Sequence, residues 1–126
     1  MLPLCLDQGI GVIPWSPLAR GRLTRDWDEA TERQGTDRFA TGLYQQEGDR
    51  QIVEAVARIA EKRGVPRAQV ALAWVAGHPA VTAPIVGATK PHHLDDAVAA
   101  VSLSLDEDEV RLLEEHYRPR EVAGFN

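Results

Sequence analysis

The sequence predicts an α/β fold with parallel strands, incomplete on its own. Two short runs rich in β-branched residues, 11–15 and 81–86, read as buried strands. Helical spacing of apolar residues fills much of the chain between and after them. Strands that alternate with helices pair in parallel through crossover connections. A lone parallel pair leaves both edges and both faces open, so the rest of the sheet is expected from a larger fold or from a partner.

In chain order, residues 1–8 read as the end of a helix, stopped by Gly9 or Gly11. The first strand follows at 11–15, and residues 16–23 form a loop. Residues 24–48 are polar and irregular, and a loop that long in a compact domain is usually functional or mobile. Ile52, Val53, Val56, Ile59 and Ala60 then recur at helical spacing, with Asp49 as N-cap and Gly64 as terminator. Pro66 opens a second helix in its first turn. Val70, Leu72, Ala73, Trp74 and Val75 fill that helix, and Gly77-His78-Pro79 closes it. Pro84 interrupts the second strand. Thr89 is expected to cap a third helix, with Pro91 in its first turn and Leu94, Val98 and Val101 on one face. A last helix begins at Asp106, whose spacing to Glu109 is that of a capping box, and Val110, Leu112 and Leu113 supply its apolar side. Residues 118–126 read as irregular surface.

Composition narrows the function classes. The chain has 126 residues, enough for one domain or part of a larger one. A 44% hydrophobic and 26% charged composition is that of a globular protein. The net charge of −5, without a basic block, argues against nucleic acid as the main partner. The single cysteine, Cys5, excludes an internal disulfide framework and a multi-cysteine metal site, and is expected to be a buried, inert thiol. A reducing, cytoplasmic setting follows as the default. The first residues lack the basic start of a secretory leader, and no apolar run approaches the ~20 residues of a membrane span.

Ligands of α/β folds sit where strands end and loops begin. After the first strand, the proline turn and small residues from Trp15 to Leu23 can turn backbone N–H groups toward a diphosphate, with the Ser16 hydroxyl added. Trp15 reads equally as a core aromatic or as a flat face for a nicotinamide or other ring. After the second strand, Gly87, Thr89 and Lys90 lead into a helix N-terminus, where free N–H groups, a hydroxyl and an ammonium suit a monophosphate. An ordinary capped helix with an exposed lysine is the competing reading.

The run Gly11-Val-Ile-Pro-Trp-Ser-Pro-Leu-Ala-Arg-Gly-Arg-Leu-Thr, followed by Pro84-Ile-Val-Gly-Ala-Thr-Lys-Pro-His-His-Leu-Asp-Asp-Ala, strongly resembles the C-terminal region of aldo-keto reductases. The resemblance covers nearly the whole chain and implies the C-terminal part of a (β/α)8 TIM barrel. Residues 11–15 would be strand seven and 82–86 strand eight, with their helices and a C-terminal helix. It further implies NADP as cofactor. Trp15 would stack on the nicotinamide, Ser16, Leu18, Gly21 and Leu23 would wrap the pyrophosphate, and Gly87, Thr89 and Lys90 would surround the adenosine phosphate. His93 and Asp96 would lie near the adenine and its ribose. Ala97 stands where the family often has asparagine.

The family reduces aldehydes and ketones by metal-free hydride transfer from NADPH, with a tyrosine, a lysine, an aspartate and a histidine as the proton-handling set. These belong to the earlier part of the barrel. Tyr44, Tyr117, Lys62 and Lys90 are the tyrosines and lysines of this chain, and neither tyrosine lies in a matching motif. The expectation is a cofactor-binding portion of an oxidoreductase, inactive in isolation and marginally stable, completed by a complementing chain or by self-association. A non-catalytic dinucleotide-binding or regulatory module and an inactive remnant are the alternatives. His92 and His93 do not read as metal ligands, because adjacent helical side chains point apart.

Overall fold

The computed structural model describes residues 1–29, 43–44 and 47–119. Most of the expected long loop and the end of the tail lie outside the described residues. We number the helices in chain order: α1 (Leu2–Asp7), α2 (Asp49–Arg63), α3 (Arg67–Gly77), α4 (Pro91–Val101) and α5 (Glu107–Glu114). A 3-10 turn, Ala19–Thr24, stands between α1 and α2.

Neither expected strand forms as a continuous element among the described residues. In their place are two isolated parallel bridges, Val12 with Val81 and Trp15 with Ile85. Two backbone bonds hold them: Thr82 N–H to the Val12 carbonyl and Ile85 N–H to the Pro14 carbonyl, both at 2.8 Å. The physical reason is a shortage of donors. Pro14 and Pro84 carry no N–H and so cannot extend a ladder. The Val12 N–H donates to the Thr82 hydroxyl at 3.2 Å. Gly11 permits this approach, because a Cβ there would stand 2.9 Å from Thr82 Oγ1. The parallel direction is as expected, but the helices supply most of the order.

The four longer helices form near their expected positions, with shifts of a residue at their starts. Gly48, not Asp49, is the N-cap of α2, at φ 94°, and Asp49 is its buried first residue. A left-handed backbone favours glycine at that cap. A Cβ on Gly48 would also meet the His116 carbonyl oxygen at 2.6 Å. Gly48→Ala is therefore expected to destabilise the fold by at least about 1 kcal/mol, read as a lowered melting temperature. Gly64 closes α2 at φ 65°. Pro66 caps α3 from outside the helix, and Lys90, not Thr89, is the N-cap of α4. The expected capping box at the start of α5 is present in both directions.

The core lies where α2, α3 and α5 converge. Ala55, Val56, Ile59 and Ala60 from α2 meet Val70 from α3 and Leu113 from α5, with Leu23, Val65, Leu103, Leu105 and Leu112 packed around them. Each fully buried Val, Leu or Ile side chain contributes roughly 1.5–3 kcal/mol. α4 packs on α3, where the Gln69 side-chain amide donates to Asp96 Oδ1 at 2.9 Å. Its apolar face behaves otherwise than expected: Leu94, Val98 and Val101 are exposed, and Ala100 is its buried residue. Likewise α1 buries none of its residues, and Cys5 is partly exposed, because nothing among the described residues covers that helix.

Candidate functional site

The ends of the two bridged segments open on one cleft of ≈ 690 Å³. That is within the range of small-molecule and cofactor sites, about 300–1,000 Å³. Trp15, Ser16, Leu18 and Gly21 line it from the first segment, and Gly87, Thr89, His93 and Asp96 from the second. The parallel bridge between Trp15 and Ile85 holds these two groups side by side. Two expected site residues stand elsewhere. Leu23 turns inward against the core cluster, because the 3-10 turn rotates it away from the cleft. Lys90 is exposed at the N-cap of α4 and is not among the lining residues.

The first wall is unusual in its backbone. Ser16, Ala19 and Arg20 have φ of 53°, 49° and 56°, and Gly21 has 87°. Among the described residues these are all the non-glycine residues with positive φ. Each such residue costs on the order of 1–3 kcal/mol and persists only where its surroundings impose it. Local bonds impose it here: Ala19 N–H to the Ser16 carbonyl, Gly21 N–H to the Leu18 carbonyl and the Thr24 hydroxyl to the Gly21 carbonyl, each at 2.9 Å. Among the described residues this wall of the cleft is where non-glycine backbone strain concentrates.

At the second wall, the Thr89 N–H donates to His93 Nδ1 at 3.3 Å, and the Thr89 hydroxyl lies 3.4 Å from the same atom. These contacts fix the His93 ring on the cleft wall beside the Thr89 backbone. The rings of His92 and His93 meet edge to face with centroids 4.5 Å apart, closer than adjacent positions on a helix suggest. Both sit in the first turn of α4. Among the described residues no group of three potential metal ligands stands together.

A third wall escaped sequence reasoning. Pro66, Arg67, Ala68 and Leu72 bring the start of α3 to the cleft, and Arg20 and His92 line it as well. Arg67 Nη2 donates to Asp26 Oδ1 at 2.5 Å, while its Nη1 is shielded and has no hydrogen-bond partner among the described residues. The segment carrying Asp26 is fixed further by Arg50 to Asp28 at 3.1 Å, and by Arg22, whose guanidinium lies 3.9 Å over the Trp27 ring. Burial first, and the charge of Arg25 second, hold Arg22 below the ordinary arginine value.

Residues 1–118 match the model of the aldo/keto reductase family. The chain belongs to that family. It is 42% identical over 126 residues to versiconal hemiacetal acetate reductase of Aspergillus parasiticus, covering 97% of this chain and 36% of that protein. It is 41% identical over 129 residues to an aldo-keto reductase of Fusarium vanettenii, covering 100% of this chain and 34% of that protein. An aldo-keto reductase of Metarhizium robertsii is also 41% identical over 129 residues, with 97% and 33% covered. The chain thus spans about a third of the length of the curated relatives it matches. Aldo/keto reductases generally use a nicotinamide dinucleotide. The cleft fits such a group: it pairs a strained backbone wall with a shielded guanidinium nitrogen that lacks an acceptor among the described residues. Among the described residues no helix is long and apolar enough to cross a membrane.

Proposed function

We propose that this chain supplies the NADP-binding segments of a cytoplasmic aldo/keto reductase that reduces aldehydes and ketones with NADPH. The observation that carries the reading is the meeting of both strand-end segments on one cleft. Trp15 would lie against the nicotinamide, the turn from Ser16 to Gly21 would enclose the diphosphate, and Gly87, Thr89 and His93 would hold the adenosine end. Bound there, NADPH supplies a hydride. The residues of this chain bind and orient the dinucleotide, and Trp15 shields one ring face from water. In this reading the tyrosine, lysine, aspartate and histidine of the reaction come from the part of the barrel outside these residues, as does most of the pocket for the small carbonyl substrate.

The test is a titration of the purified chain with NADPH, followed by nicotinamide fluorescence. Saturable binding is expected. Trp15→Ala should weaken it about tenfold, the order of a ring-stacking contact, and Lys62→Ala should leave it unchanged. No carbonyl-dependent NADPH oxidation is expected from this chain alone. Absence of saturable binding would remove the reading.

A further inference from the structure

We infer that Arg67 is a phosphate-binding residue of the cleft, and that Asp26 occupies its guanidinium until a ligand phosphate replaces the carboxylate. This rests on the dinucleotide reading of the cleft but assigns a wall and a competition that neither strand end contains.

Arg67 lines the cleft together with Ser16, Gly21 and Gly87. A guanidinium presents five donors in a planar fork suited to two parallel bonds with an oxyanion. Here Nη2 is engaged by Asp26, and among the described residues shielded Nη1 has no acceptor. Arg22 Nη1 and Arg25 Nε are in the same state, but of the three only Arg67 stands on the cleft wall, where an oxyanion could meet it. A phosphate, with three acceptor oxygens, can engage both nitrogens at once.

The carboxylate is placed to leave. The Asp26 side chain is 76% exposed and that of Arg67 25%. An exposed carboxylate is rehydrated on release, and pairs of this kind contribute little. The segment around Asp26 need not move, because Arg50 holds Asp28 and Arg22 covers Trp27 independently. A rotation of the Asp26 side chain suffices, and the approach of a phosphate would drive it by charge repulsion. Asp26 is therefore expected to lower affinity and Arg67 to raise it.

The shared ligand chemistry is a phosphate group, and the dinucleotide offers two: the diphosphate bridge and the ribose monophosphate. Binding of NADP and of NAD to the purified chain by isothermal titration calorimetry separates them. Arg67→Gln is expected to weaken NADP about tenfold, and Asp26→Asn to tighten it about threefold. Equal loss for NADP and NAD on Arg67→Gln assigns the diphosphate, and loss for NADP alone assigns the monophosphate. Tightening by Asp26→Asn is an outcome that a merely structural ion pair would not produce. If the unaltered chain binds and Arg67→Gln binds equally well, or Asp26→Asn fails to tighten, the inference is overturned while the dinucleotide reading stands. If the unaltered chain binds neither nucleotide, both fall.

Discussion

Replacing Val70 by aspartate is expected to abolish the cooperative thermal transition of the chain. Val70 is 0% exposed and meets α2 and α5 residues in one cluster, so its side chain touches most of what holds the helices together. An unpaired carboxyl at this position has no described donor to satisfy it. Burying such a group costs several kcal/mol, whether it is ionised or forced to take up a proton. A complete domain is stable by about 5–15 kcal/mol in total and this chain is expected to have less, so one such penalty removes its margin. Val70→Ala separates polarity from volume. It removes two methyl groups, costs about 2 kcal/mol and leaves a cooperative but lower transition. Melts followed by circular dichroism at the helical band distinguish the two. A Val70→Asp chain that unfolds cooperatively within a few degrees of the parent would mean that the core lies elsewhere.

The helical part of this core was legible because its signals are local. Ile59 and Val56 recur at the helical period, Gly64 ends the run, and the Asp106–Glu109 spacing marks a capping box in four residues of sequence. The shifted caps have a common cause. Gly48 and Lys90 cap because of their backbone angles, and the hydroxyl or carboxyl of the neighbouring residue is not what decides. The β-branched pattern alone suggests longer strands than form, because the missing N–H groups of Pro14 and Pro84 outweigh it. The cleft was largely legible from its two strand ends. Leu23 packs against the core and not on the cleft, because its direction depends on the tight turn at Arg20 and Gly21, which leaves no mark in the sequence pattern. Arg67 was missed because its ion pair with Asp26 spans 41 positions and leaves no periodic mark. The stripe of Leu94, Val98 and Val101 has the spacing of a buried face, yet the described residues offer nothing to bury it. Sequence pattern reports what a face requires, and only tertiary packing reports what it receives.

The second large effect is expected at Glu109, the carboxylate that ties α5 to the end of α2. Its side chain is only 5% exposed. Arg63 Nε donates to Oε1 at 2.7 Å and Arg63 Nη2 donates to Oε2, while the Asp106 N–H reaches Oε2 at 3.0 Å. The hydrogen bonds from Arg63 are the largest cause of a carboxyl held far below its ordinary 4.5, at about 2; burial opposes them, and the Asp106 N–H and the charges of Arg63 and Lys62 assist. The folded value lies below the unfolded one. The contribution of Glu109 is therefore complete above about pH 4.5 and is lost as the pH falls toward about 2. Glu109→Gln removes the charge and one of the acceptors facing Arg63. Because the Arg63 side chain is 29% exposed, water recovers part of the loss, and the expected cost at neutral pH is about 2 kcal/mol. The parent and Glu109→Gln should therefore differ most at pH 7 and converge as the pH approaches 2, since the parent by then carries a protonated, neutral side chain at the same place. Melting temperatures of both at pH 7, 5, 3 and 2 check this. A difference that stays constant over that range would show that the carboxylate charge does not hold these helices together.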